Sequence, residues 1–142
     1  MKKELHSICI MREVPKIVVF YVFILPILFY PLSIYADMIG DFFAFPNPSS
    51  MDSTINIYIN NSSNEEIEVT IDIYALSGKR LAVIVENEKL SAGGELMERF
   101  NADINCNVRE PGLYLLKAEA VGSISEKREI KTFKLFINEG NE

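Results

Sequence analysis

The sequence predicts an all-β fold, a β-sandwich of about seven short strands, behind an apolar N-terminal leader. Three observations carry this. Apolar residues recur at every second position in several separated stretches, the period of a strand with one dry face. Turn signals fall between those stretches at the spacing a sandwich needs. After the leader no segment carries a sustained helical period, and none repeats another.

The organising stretch is Glu66–Glu86. Ile67, Val69, Ile71 and Ile73 alternate with Glu68, Thr70, Asp72 and Tyr74, which predicts a half-buried strand. Ser77-Gly78 breaks the run, and Gly78 takes a positive φ without a Cβ penalty. Leu81–Val85 is rich in β-branched residues and reads as a second strand, buried on both sides, that completes a hairpin.

The other elements follow in chain order. In Asp41–Pro48, Phe43 and Phe45 share one face of an extended segment, and Phe42 and Ala44 the other. Pro46 and Pro48 lack an N–H, and Asn47 precedes a proline, so the segment suits a sheet edge. As a Pro-Asn-Pro unit it reads as a rigid lead-in to a strand in preference to a recognition motif. Thr54–Asn60 turns Ile55, Ile57 and Ile59 inward. Asn61–Glu65 is a polar loop, and the overlapping triplets Asn60-Asn61-Ser62 and Asn61-Ser62-Ser63 are taken as loop residues, not glycan acceptors. Ser91–Gly94 is a turn. Glu95–Asn101 sets Leu96, Glu98 and Phe100 opposite Met97 and Arg99, although a helical turn also fits there. Pro111-Gly112 turns the chain into Leu113–Ala120, with Tyr114, Leu116, Ala118 and Ala120 on one face. Gly122-Ser123 leads to Glu129–Asn138, where Lys131, Phe133, Leu135 and Ile137 oppose Ile130, Thr132, Lys134 and Phe136.

Residues 1–36 stand apart. Lys2, Lys3, Arg12 and Lys16 precede Ile17–Ala36, twenty residues without a charge. Ser33-Ile34-Tyr35-Ala36 resembles a cleavage site, so the segment reads as a secretory signal peptide removed after Ala36. Its length also allows a retained membrane anchor, although Pro26 and Pro31 weaken a spanning helix. Domain and leader thus divide at 37, with the core expected over 42–138. The domain is expected outside the cytoplasm: in the periplasm, on the cell surface or in the medium.

Beyond the leader, 18 acids face 10 bases, a net charge of −8. Such a surface repels phosphate backbones, so nucleic acid is not an expected partner. A membrane is expected as a partner only through an uncleaved leader. Cys9 lies in the leader, leaving Cys106 without an intrachain partner; burial as a small apolar residue is the favoured reading over a bond between chains. The one histidine, His6, also lies in the leader. That excludes histidine acid–base chemistry and Ser-His-Asp catalysis from the domain.

What remains is weak as chemistry. Asn101–Asn107 spaces oxygen ligands at alternate positions. A calcium loop started at Asp103 also wants glycine where Val108 stands and an acid where Tyr114 stands, so a solvated turn is favoured. Tyr114, just after Pro111-Gly112, suits a tyrosine corner, its hydroxyl bonding backbone upstream. Ser77 has no base to activate it. Glu65-Glu66-Glu68 and Glu86-Glu88 read as solvated acidic faces, and Lys127, Arg128 and Lys131 as outward charges on an edge strand. No catalytic residue, metal or cofactor is expected.

A family resemblance joins these pieces. Phe45-Pro46-Asn47-Pro48 resembles a YPNP opening, and Thr54–Ile57 the long strand after it. Ile71–Leu81 resembles an "iyDlxGrxv" hairpin. Ser91–Gly94 and Pro111-Gly112-Leu113-Tyr114 match "l.aG" and "GvY" elements. Together they are similar to the FlgD-type immunoglobulin-like domain and the related C-terminal sorting domain of type IX secretion. Phe100-Asn101-Ala102 stands where flagellar relatives show Trp-Asp-Gly. The resemblance implies an immunoglobulin-like sandwich without catalytic residues. It further implies a bacterial envelope module for interaction or assembly, binding another envelope or surface protein. The alternative is a type IX sorting signal, or a remnant of one.

Overall fold

The alternating stretches form two sheets, described over residues 37–106 and 108–139 of a computed structural model. Residues 1–36, with the expected signal peptide or anchor, lie outside the described residues, as does Asn107. The strands are β1 (Ile39–Phe45), β2 (Ser49–Ser50), β3 (Thr54–Asn61), β4 (Ile67–Ala75), β5 (Arg80–Leu90), β6 (Glu95–Asn101), β7 (Gly112–Gly122) and β8 (Arg128–Asn138). A helical turn, α1 (Ala102–Cys106), follows β6. One sheet runs β1-β3-β6 and the other β2-β8-β7-β4-β5. Seven long strands match the expected number, and β2 adds a two-residue parallel bridge to Ile137 and Asn138.

The core lies where the alternation points. Ile55, Ile57 and Ile59 come from β3, and Ile67, Val69, Ile71 and Ile73 from β4. Leu116, Ala118 and Ala120 of β7 and Leu135 and Ile137 of β8 complete it, all fully or almost fully buried. Burying such side chains contributes about 1.5–3 kcal/mol each before entropy is subtracted.

Two expectations are corrected, and one alternative is decided. β5 is not buried on both sides: it ends the five-stranded sheet, and Val83 is 40% exposed. An apolar run alone cannot distinguish a central strand from an edge, and β5 also continues through the polar Glu86–Lys89 to Leu90. Lys131 is not an outward charge on an edge. It sits on the inward side of β8, where Nζ donates to the carbonyls of Ile39 and Gly40, the latter at 2.9 Å. A bulge between Ile39 and Phe42 breaks the β1 ladder there, and the ammonium satisfies what the ladder leaves. Glu95–Asn101 is strand throughout, and the helical turn comes just after it. Asn101 caps that turn, its Oδ1 accepting from the Asp103 and Ile104 amides at 3.1 Å each.

The same contacts replace the calcium loop. Asn105 Oδ1 accepts from the Asn101 amide at 2.7 Å, and Asn101 Nδ2 donates to the Asp52 carbonyl at 3.0 Å. Cys106 is buried beneath the turn, and burial pushes its thiol up to about 11, well away from the reactive thiolate range.

Two loops carry ties that their polarity alone does not reveal. Asn61 is 1% exposed, and its amide bonds carbonyls of both the β3–β4 and β5–β6 connections. Glu65 is not part of a solvated acidic face. Its carboxylate accepts from the Ile124 amide at 2.7 Å, the Ser125 amide at 3.0 Å and Ser125 Oγ at 2.5 Å. A Cβ on Gly122 would come within 2.6 Å of Glu65 Oε1, so a side chain there would push the carboxylate from its place in the turn.

The bonds from Ser125 and Ile124 hold the Glu65 carboxyl below its ordinary value of 4.5. A depressed carboxyl contributes stability that is full above the unfolded value and lost as pH falls through the folded one. Glu65→Gln is therefore expected to lower the melting temperature near neutral pH. The gap to wild type should narrow as the buffer is acidified below about pH 4. Thermal melts across a pH series check this; a gap independent of pH would exclude the carboxylate as its source.

Candidate recognition surfaces

The turn residues singled out by sequence lie far apart in the chain but gather at one end of the five-stranded sheet. Ala75 pairs with Tyr114, and Tyr114 with Leu135, so the β4–β5 turn, the start of β7 and the end of β8 share one rung. Gly78 closes the β4–β5 turn at φ 84°, its amide donating to Ala75 O at 2.9 Å. Pro111 precedes β7, whose first residue, Gly112, lies opposite Ile137. Ser49, after Pro48, pairs with the same Ile137 from its other side.

Asn47 explains how the proline segment reaches this end. Its side-chain amide imitates a peptide unit: Nδ2 donates to Lys134 O and Oδ1 accepts from Phe136 N, both at 2.9 Å. Pro46 and Pro48 flank it with rings that cannot donate, and both of their peptide bonds are cis. The unit thus caps the outer edge of β8 ahead of β2, and so denies it to other strands. β1, which leads into the unit, is an edge strand as expected.

Tyr114 Oη donates to the Glu110 carbonyl at 2.5 Å, four residues upstream. Burial and the nearby Glu110 charge raise its pKa, so the phenol stays protonated and able to donate. Tyr114→Phe removes this bond at constant shape. It is expected to cost about 1 kcal/mol of stability, read as a shifted urea midpoint with unchanged m. Beside Tyr114 an open depression of about 360 Å³ is lined by Leu81, Val108, Lys79, Arg109 and Glu110.

The outer face of the five-stranded sheet carries a charged network. Asp72 is buried, with Tyr74 Oη donating to its Oδ2 at 3.2 Å and Arg80 at 3.6 Å from Oδ1. Among the described residues, Asp72 Oδ1 is the buried side-chain oxygen without a hydrogen bond. The mostly exposed Arg80 compensates its charge. Lys117 stands over the Tyr74 ring, and Arg128 pairs with Glu119 at 2.6 Å.

The three-stranded sheet presents a different face. Phe43 pairs with Tyr58, and Tyr58 with Met97, forming one apolar rung across all three strands. Phe43 and Tyr58 stack at 5.0 Å between centroids, Phe45 lies 6.0 Å from Phe43, and Met97 is 55% exposed. Glu95 hydrogen-bonds the Tyr58 hydroxyl and raises its pKa. Large apolar side chains in contact on an exposed sheet face mark a surface suited to docking. Neither surface holds a nucleophile beside a base. Among the described residues no three acids, cysteines or histidines gather to hold a metal.

No curated protein matches this chain in sequence. Among solved structures, β-glucuronidase 2 of Bacteroides uniformis, covalently bound to cyclophellitol-6-carboxylate aziridine, is similar at TM-score 0.42 and 19% identity. That likeness covers 70% of this chain and 13% of that one. The alkylpurine DNA glycosylase AlkC of Pseudomonas fluorescens, bound to DNA with an abasic-site analogue, is similar at TM-score 0.38 and 14% identity, covering 70% of this chain and 30% of that one. The chain spans a minor part of either enzyme, and likenesses this distant do not bear on its activity. The model of the secretion system C-terminal sorting domain matches residues 44–132, from β1 into β8. That stretch contains every motif of the resemblance from Phe45 onward, and the chain belongs to the family of secretion-system C-terminal sorting domains.

Proposed function

We propose that the sandwich is a type IX sorting signal, read as a folded unit, that directs the chain to the cell surface or beyond. The observation that carries this is the sorting-domain match over residues 44–132. It favours the sorting reading over a hook-capping type of assembly module. The role asks for no catalytic group. It needs a fold stable enough to be recognised after crossing the inner membrane, with recognition features fixed in space. The gathering of Asn47, Gly78, Gly112 and Tyr114 at one end of the sheet supplies such a feature set. Fusing 42–142 to an exported reporter in a host with this secretion system tests the reading. Reporter on the surface or in the medium is expected; reporter held in the periplasm would refute it.

A second reading keeps the same domain as a docking module for another envelope or surface protein. The exposed Phe43–Tyr58–Met97 rung favours it. Alanine at Phe43 and Met97 would then abolish capture of a partner from envelope extract, yet leave reporter export intact.

A further inference from the structure

Four strands end the two sheets, and three of them are blunted against further pairing. β1 is bulged between Ile39 and Phe42, β2 is two residues long, and β5 departs three times from register with β4. β6 keeps unbroken register with β3 from Asn60↔Glu95 to Thr54↔Asn101. A straight, unbulged edge offers a row of backbone groups to another strand, and bulges are a means of preventing that.

The outward face of β6 reads Glu95, Met97, Arg99, with an acid and a base placed symmetrically about a methionine. We propose that a second copy of this chain adds antiparallel to β6 about a two-fold axis at Met97, joining two three-stranded sheets into one of six. In an isologous contact each residue meets its symmetry counterpart. Glu95 of each copy then faces Arg99 of the other, so the ion pair forms twice. Met97 packs on its own counterpart, and the Phe43–Tyr58–Met97 rung runs unbroken into the second copy. Opposite charges directly across two strands stabilise their pairing, and like charges destabilise it.

Neighbouring registers lose the match. An axis at Glu98 sets the two Glu98 carboxylates against each other, and an axis at Leu96 sets Glu95 against methionine. On the inward side Leu96 comes opposite Glu98, so the charge complementarity belongs to the outer face. This pairing does not rest on the sorting reading.

Sedimentation velocity of the full chain over a concentration series tests it. Wild type is expected to dimerise. R99E and E95R, each replacing two attractions by two repulsions, should weaken the dimer by about tenfold or more. The double variant E95R/R99E recreates the pair with reversed sign and should restore it. Circular dichroism verifies that each variant is folded. As a measurement independent of charge, M97C in a C9S background should form a covalent dimer on mild oxidation, Cys106 being buried. K134C in the same background should not. A wild-type chain that stays monomeric, a dimer unmoved by both single reversals, or an M97C variant that fails to cross-link would each overturn the proposal.

Discussion

Ile71→Ala is expected to cost about 2–5 kcal/mol, a large part of the roughly 5–15 kcal/mol that holds a domain of this size together. Ile71 is fully buried on β4, which lies between β7 and β5 and pairs with both. Its side chain points into the layer where β3 isoleucines meet β4, β7 and β8. Alanine loses the transfer free energy of three carbons and leaves a cavity that strands paired on both sides cannot collapse to fill. Urea unfolding followed by far-ultraviolet dichroism measures it, and the midpoint should fall with little change in m. Ile124→Ala is the control: at 82% exposed in the β7–β8 turn, it should move stability by no more than about 0.5 kcal/mol. An Ile71 variant as stable as that control would mean that β4 is not central.

Asn61→Ala is expected to cost about 2–4 kcal/mol, although the sequence reads Asn61 as the first residue of a polar loop and the structure makes it the last of β3. Its Nδ2 is shared among the carbonyls of Glu65 at 2.8 Å, Leu90 at 3.1 Å and Ser91 at 2.9 Å. Its Oδ1 accepts from the Ser63 amide at 2.9 Å and Ser63 Oγ at 2.7 Å. Its backbone adds bonds to Gly94 O and from the Gly93 amide. Alanine would strand buried acceptors that water cannot reach, and an unmet buried group costs more than a met one contributes. Asn61→Asp separates donor from volume, since it keeps the shape but turns an acceptor toward three carbonyls. It should be at least as damaging as alanine near neutral pH, and should recover part of the loss when acid restores a donor. Equal stability of all three proteins would remove Asn61 as the tie between the two loops. The same geometry leaves no room for a glycan on this amide, although Asn61 ends β3 and does not lie in the loop.

The legibility of this chain followed the range of the interactions. Period-two alternation placed β3, β4 and β7 with their inward residues, and divided β8 into its two faces, because burial of one face is imposed residue by residue along a strand. Gly78 and Pro111-Gly112 marked turns for an equally local reason, since backbone dihedrals are set by the residue itself. β5 failed as a doubly buried strand: Leu81–Val85 has the composition of a central strand, and only pairing order put it at the edge. Lys131 failed because its partners, the carbonyls of Ile39 and Gly40, lie some 90 positions away across the other sheet. Glu65 read as one acid in a cluster, since the turn that it anchors lies 59 residues further on.

The sequence by itself determined the fold class, the position of most strands, the want of histidine chemistry in the domain and the motifs of the sorting-domain family. Tertiary structure alone decided that β5 and β6 end the sheets, which polar residues are drawn inside, and that Asn47, Gly78 and Tyr114 share one end of the sandwich. The difference is physical. Hydrophobic patterning and turn chemistry act within a few residues, so they are written in order along the chain. Edges, buried ties and composite surfaces arise from pairings across the whole chain, whose register only the closed sandwich specifies.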